Sequence, residues 1–497
     1  MPAVTRSWRV LALAWLAIAA VLIARAGLYP AVMTGDEIWF SESAFNFIHH
    51  GIPQRLIHSD AVGSARADFL PPVIMLVQAL AFLLLGLSPF AVAAQSVAAP
   101  LAVIALIFLI ARRNGGSVAW AGCAGIAVLG SQIFLRAGIY IRYEALVALF
   151  LLLHLWAARS AEPSSRAPIR HLVAGGALAL SGLSYYPLAP FIGIAALLFE
   201  CARPTDRARR LWMVAGFAVP ALLFAAYVAR FPDEFAAQIL GNGKSNYVTF
   251  ELPTRALDPA LWRASRDALP ELIGLAGLLA LAGWRLRRQT RWARCLFGAA
   301  LITSLPILIY PFQPRLLAVP VTLALLILAA WTEDPVPWLR RLGRGLLVVG
   351  TGTAVASTVL MLATAILQRD GRRYDPVAAA LDRLVTEPGP VAIDQRAWLA
   401  LRAADPTREL HHVMPDWAPE QVRIFESMVL RDPAGGAHFR YLVLNAADAE
   451  ATIEATPALA RAFAQDRFVE IGRVAPAFRP LPWATQPPYD LIVYARR

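Results

Sequence analysis

Residues 71–113 read PPVIMLVQALAFLLLGLSPFAVAAQSVAAPLAVIALIFLIARR, and how often this stretch crosses a membrane decides the topology of everything after it. No charged residue stands between Asp68 and Arg112. A helical crossing needs about 20 mostly apolar residues, and two candidates are present, 71–87 and 89–111. The first is short, opens on Pro71-Pro72 and contains Gln78; the second ends on Arg112-Arg113. Arginines at a span end favour the cytoplasmic side. If 71–87 crosses fully, Arg112, Arg113 and every later arginine cluster fall outside. If it lies in the interface as an amphipathic or re-entrant helix, all the clusters stay inside. We take the second reading.

Composition supports membrane as the solvent. The chain has 497 residues, 58% hydrophobic and 16% charged, whereas soluble domains run nearer 45–50% apolar and about 25% charged. That excess excludes an all-soluble enzyme, a disordered chain and a fibrous one. Lys+Arg number 46 against 34 Asp+Glu, net +12, and Lys244 is the single lysine. The arginines fall between apolar runs, at 6 and 9, 112–113, 159–170, 203–210, 285–294 and 340–344, as cytoplasmic loops require and not as a nucleic-acid surface does. No nucleic-acid partner is expected. Cys123, Cys201 and Cys295 all sit in apolar runs, which gives no disulfide framework.

The expected fold is mainly α: a polytopic membrane helical bundle of about eleven transmembrane helices, plus interfacial helices in the first outer loop. Spans are placed near 8–29, 89–111, 117–138, 145–158, 171–186, 187–201, 212–229, 269–285, 295–312, 316–331 and 344–367. Residues 8–29 read as a retained anchor. The N-terminus is then cytoplasmic, and 30–88, 230–268 and the tail from 368 are extracytoplasmic. Residues 1–367 form the transmembrane domain and 368–497 a small extracytoplasmic α/β domain. In the tail, 391–394, 438–445 and 490–494 look like strands, and 396–404, 419–430 and 447–465 like helices.

Acidic residues near outer span ends are few. Asp36 and Glu37 follow the first span in TGDEIWF, and Trp39, Phe40, Phe45, Phe47 and Ile48 suggest a surface helix with its polar side towards protein. The plain reading of Asp36-Glu37 is a helix N-terminus, where carboxylates are favoured. Ile141-Arg142-Tyr143-Glu144 puts a charged pair where membrane-embedded chain turns back; such groups pair or do chemistry. With 71–87 not crossing, Asp36 and Glu144 belong to the same side of the membrane. His49, His50 and His58 cluster in the first outer loop without a fixed ligand spacing.

These pieces together resemble the C-type glycosyltransferases, in particular the branch of protein O-mannosyltransferase-like and aminoarabinose-transferase-like enzymes. The resemblance runs from the first span to about residue 330. It is carried by GDEIWFSESAFNFIHHG at 35–51, Pro71-Pro72, the span–Arg-Arg–span unit, Arg142-Tyr143-Glu144, GLSYYPLAP at 182–190 and QPRLLAVPVTLALL at 313–326. It implies Asp36 as catalytic base and Glu144 as the second catalytic acid. Substrate contacts are expected from Glu37, Arg66, Asp68, Arg142, Tyr186, Lys244 and Arg315, with Arg315 suited to a lipid phosphate. The chain departs from the family pattern at Glu144, where Asp is commoner, at Leu70, where lysine often stands, and at Tyr185-Tyr186, in place of a frequent Lys-Gly. The phosphate's counter-charge therefore falls to Arg66, Arg315 or Lys244.

The implied reaction moves a hexose or pentose from a polyprenyl-phosphate donor to a lipid (lipid A among them), polysaccharide or protein acceptor, with inversion. It would take place on the outer, periplasmic face of a bacterial inner membrane, with membrane lipid as a further partner. No cofactor is certain from the resemblance, and a divalent metal is left open. The competing reading is a multi-span lipid or glycan transporter or flippase, which should show interrupted spans repeated in two halves; no such repeat stands out.

Overall fold

The computed structural model describes residues 2–28, 36–53, 71–131, 134, 142–158, 167–201, 207–236, 269–309, 314–413, 439–465, 467–475 and 489–497. The chain divides into two compact units. One comprises Met1–Leu22, Pro71–Ile74 and Ser96–Met361; the other comprises Ile23–Leu70, Met75–Gln95 and Leu362–Arg497.

The helices in chain order are α1 (Pro2–Leu28), α2 (Asp36–His50), α3 (Pro72–Leu85), α4 (Pro89–Arg113), α5 (Val118–Ala127), α6 (Tyr143–Ala158) and α7 (Ala167–Ser184). They continue with α8 (Ala189–Cys201), α9 (Arg207–Val228), α10 (Leu269–Trp284), α11 (Arg291–Ile309), α12 (Ala318–Trp331) and α13 (Pro337–Leu367). In the deciding stretch, α3 holds 14 residues. At about 1.5 Å per residue it is roughly 21 Å long, against a hydrocarbon core of about 30 Å. Gly86, at φ +70°, breaks it, and the Ser88 hydroxyl accepts the Ala91 N–H at 3.2 Å to start α4. Gln78 is buried, its amide nitrogen donating to the Ala91 carbonyl at 3.2 Å. The sequence RRNGGS then ends α4 sharply. Asn114 donates to the Ile110 carbonyl at 2.6 Å, Gly115 takes φ +89°, and Ser117 caps α5.

Among the described residues, α4, α9 and α13 are long and apolar enough to cross a membrane. Helix α7 and the segment Tyr186–Cys201 are bent by 120° at Tyr185 and together amount to at most one more span. Helices α5, α6, α10 and α12 are apolar but shorter, so the described helices do not establish about eleven crossings. Within the first unit α12 is buried on all sides and packs against α5, α6, α10 and α11. Glycines let backbones meet there: a Cβ on Gly175 of α7 would fall 1.9 Å from the Met213 carbonyl oxygen, and one on Gly216 of α9 would fall 2.1 Å from that of Leu172. Small residues at such crossings are how helices associate in lipid, where apolar burial gives no drive.

The second unit carries a five-stranded sheet, ordered β2-β1-β3-β5-β4, from β1 (Val391–Ile393), β2 (Leu410–His412), β3 (Tyr441–Asn445), β4 (Phe468–Val474) and β5 (Leu491–Arg496). β1 pairs parallel with β2 and β3, while β5 runs antiparallel to β3 and β4. Every residue of β3 is buried. Helices α14 (Tyr374–Leu384), α15 (Trp398–Ala404), α16 (Ala449–Ala455) and α17 (Pro457–Ala464) belong to the same unit. The expected strands at 391–394, 438–445 and 490–494 correspond to β1, β3 and β5; the expected helix at 419–430 lies outside the described residues. The compact grouping breaks after Met361 and takes α2 in with the tail.

Candidate active site

Two buried carboxylate–arginine pairs stand out, one in each unit. In the first, Glu144 occupies the first turn of α6, where the positive end of the helix favours a carboxylate. Arg315 comes from the short 3-10 turn Pro314–Leu317 that leads into α12. Its Nε lies 3.1 Å from Glu144 Oε1, with Glu144 2% and Arg315 30% exposed. The guanidinium also sits over the Tyr143 ring, 5.5 Å from its centroid. Tyr143 in turn stacks on Tyr185, centroids 4.2 Å apart and planes at 14°. Tyr185 has extended backbone at the bend after α7, and this presents its ring to α6. Three distant segments thus build one charged and aromatic cluster. An arginine orientated by a carboxylate and an aromatic face, and 30% exposed, suits an anionic oxygen.

The second pair involves α2. Its first turn holds Glu37, which is fully buried, as are Ser41, Glu42, Ser43 and Asn46. The expected inward-facing polar side is therefore present, but Ile38, Phe40, Ala44 and Phe45 are buried too, so α2 is a core helix of its unit. Glu42 Oε1 lies 3.7 Å from Arg402 Nη2, the two side chains 0% and 3% exposed. Arg402 Nη1 donates to the carbonyls of Pro406 at 2.9 Å and Arg408 at 2.8 Å. Its guanidinium lies 5.2 Å from the Phe45 ring centroid, and Phe45 meets Trp398 edge-on at 6.3 Å. Burial pushes the Arg402 pKa down, opposed by the charges of Glu42 and Asp405.

The other expected residues are distributed as follows. α2 begins at Asp36, so the helix-N-terminus reading of that residue describes its backbone. Arg142 is half-buried immediately before α6. Tyr186 turns to Phe224 and Phe235, at 5.7 and 6.4 Å, and so joins a different aromatic group from Tyr185. Arg66, Asp68 and Lys244 lie outside the described residues, as does His58. His49 and His50 are exposed, and among the described residues no group of three or more His, Cys, Asp or Glu side chains gathers to hold a metal ion. Sequence reasoning missed Tyr143, Tyr185 and Arg402. The tyrosines were in quoted motifs, but only the fold brings 143 and 185 together.

No family model matches the sequence, and none of the curated proteins does. Solved structures do. The crystal structure of ArnT from Cupriavidus metallidurans bound to undecaprenyl phosphate superposes with a TM-score of 0.64 at 15% identity, covering 97% of each chain. The mycobacterial arabinofuranosyltransferase AftD gives a TM-score of 0.54 at 16% identity over 98% of this chain and 41% of its own. The apo oligosaccharyltransferase of Archaeoglobus fulgidus gives 0.51 at 12% identity over 96% of this chain and 75% of its own.

Proposed function

The chain has the fold of the C-type membrane glycosyltransferases, and we propose that it transfers a sugar from a polyprenyl-phosphate donor to an acceptor on the outer face of a bacterial inner membrane. Fold alone does not carry an activity. The observation that does is the Glu144–Arg315 pair, in which the carboxylate is buried and the arginine stays 30% exposed.

In the proposed reaction the acceptor oxygen attacks the anomeric carbon as the bond to the phosphate oxygen breaks, with inversion. Asp36 takes the acceptor's proton, and polyprenyl phosphate leaves. Positive charge develops at the anomeric carbon and negative charge on the phosphate, so a carboxylate and a guanidinium each stabilise the transition state more than the ground state. Arg315, held by Glu144 and Tyr143, takes the phosphate through charge-assisted hydrogen bonds. Lys244 and Arg66 supply further positive charge, while Asp68, Arg142 and Tyr186 contact sugar or acceptor; Glu37, expected to join them, is fully buried in α2. The ArnT structure with undecaprenyl phosphate supports the lipid class of the donor.

The test is lipid and glycan mass spectrometry of a deletion strain complemented with wild type or Asp36→Asn. The variant is expected to reach the membrane at wild-type level without restoring the missing sugar. Full restoration excludes Asp36 as the base.

A further inference from the structure

Where α10 ends and α13 begins, the first unit turns two tryptophans outward. Trp284 is the last residue of α10 and Trp338 the second of α13. They are 73% and 44% exposed, with ring centroids 6.3 Å apart and planes at 38°. Two large rings left side by side in water forgo the burial that an indole gains in a core. At a membrane surface the same rings are favoured, because an indole has an apolar body and one N–H to keep wet.

Arginines flank the pair. Arg285, Arg287 and Arg288 belong to the turn after α10, and Arg340 and Arg341 to the start of α13. Glu333 and Asp334, the carboxylates of the turn between α12 and α13, are engaged within the protein. Asp334 lies 3.8 Å from Arg285 Nη2 and accepts the Val336 N–H at 2.9 Å. Glu333 accepts the Ser117 N–H at 3.3 Å. Among the described residues Arg287, Arg288, Arg340 and Arg341 make no ion pair, and 287, 288 and 341 are exposed. Further along α13, Leu346, Val348, Val349 and Val355 are exposed as well. Charged and aromatic residues at a helix end, followed by bare aliphatic ones, follow the order of headgroup and acyl chain in a phospholipid.

We propose that Trp284, Trp338 and these four arginines form a docking surface for anionic phospholipid headgroups, independent of sugar transfer. Charge complementarity selects an anion. A water-soluble acidic partner would leave the aliphatic side of α13 bare, whereas a phospholipid covers charge, rings and aliphatic side chains together.

The experiment titrates the purified full chain in non-ionic detergent with phosphatidylglycerol, and with phosphatidylcholine as the zwitterionic control, and counts retained lipid by native mass spectrometry. Wild type should retain phosphatidylglycerol in preference to phosphatidylcholine, and the preference should shrink at high salt. Replacing all four arginines with glutamine should weaken phosphatidylglycerol binding on the order of tenfold or more. Arg287→Gln/Arg341→Gln alters only two exposed side chains; it should act in the same direction and keeps the test readable if the fourfold variant fails to fold. Arg207→Gln/Arg209→Gln, at the start of α9, should leave the preference intact. Wild type without a preference overturns the proposal, as does a folded Arg287→Gln/Arg341→Gln that keeps it. An equal loss in Arg207→Gln/Arg209→Gln would show diffuse attraction and overturn it too. A dimer that phosphatidylglycerol does not affect and Arg287→Gln/Arg341→Gln dissociates would assign the face to a second copy instead.

Discussion

Among the described residues, two Glu–Arg pairs with buried carboxylates look alike on paper and differ in how the arginine is used. Arg402 is 3% exposed, 3.7 Å from Glu42, and its Nη1 is committed to two backbone carbonyls. Arg315 is 30% exposed and 3.1 Å from Glu144, with a tyrosine ring beneath it. The first geometry closes an arginine inside a core and ties α2 to α15. The second aims an arginine that keeps 30% of its side chain exposed. Ion-pair distance alone does not separate a staple from a working group; the accessibility of the cation does.

Substitutions that separate activity from stability sharpen this contrast. The largest effect is expected from Arg315→Ala, which should lower the transfer rate about 100–1,000-fold, on the order of 3–4 kcal/mol. Its melting temperature should move far less than its rate, and Arg315→Lys should recover only part of the activity because lysine lacks the planar fork. Next comes Arg402→Leu. It removes the ion-pair partner of a fully buried Glu42 and should cost roughly 3 kcal/mol of stability in the second unit. Hydrogen exchange over residues 36–50 and 398–404 reads this locally. Equal protection in wild type and variant would break the assignment of Arg402 as a staple. Glu42→Gln should be milder, about 1–2 kcal/mol, because Arg402 keeps its carbonyl acceptors.

The smallest expected effect is a pH dependence. Hydrogen bonds from the Thr407 side chain and backbone, with Arg408 nearby, hold the Asp405 carboxyl below its ordinary range. A carboxylate with a depressed folded pKa contributes stability above its unfolded value, and that contribution is lost as pH falls through the folded value. Asp405 begins the turn whose Pro406 and Arg408 carbonyls receive Arg402. Below about pH 4, exchange protection around residues 398–408 should therefore weaken slightly, and Asp405→Asn should remove that pH dependence.

Some of this was legible before any coordinates. The apolar runs marked the helices, Arg112-Arg113 marked the end of one, and Glu144 announced itself as a charge in an apolar setting. The tail's central strands were visible because they are buried runs. Its edges were not: β2 is three residues long with two histidines, and β4 has a bulge between Glu470 and Gly472 that spoils its alternation. The Arg402 contact could not be read at all, since its partner lies some 360 residues away and neither residue has a local signature. Tyr185 and Tyr186 are adjacent in sequence, yet a 120° bend sends their rings to different clusters.

The most direct measurement reconstitutes the purified full chain with a synthetic polyprenyl-phosphate sugar and a membrane extract as acceptor, and follows release of polyprenyl phosphate. Wild type should release it in step with glycosylated product. Arg315→Ala and Glu144→Gln, melting near the wild-type temperature, should do so at least about 100-fold more slowly. Release by these folded variants at the wild-type rate would contradict the role given to the Glu144–Arg315 pair.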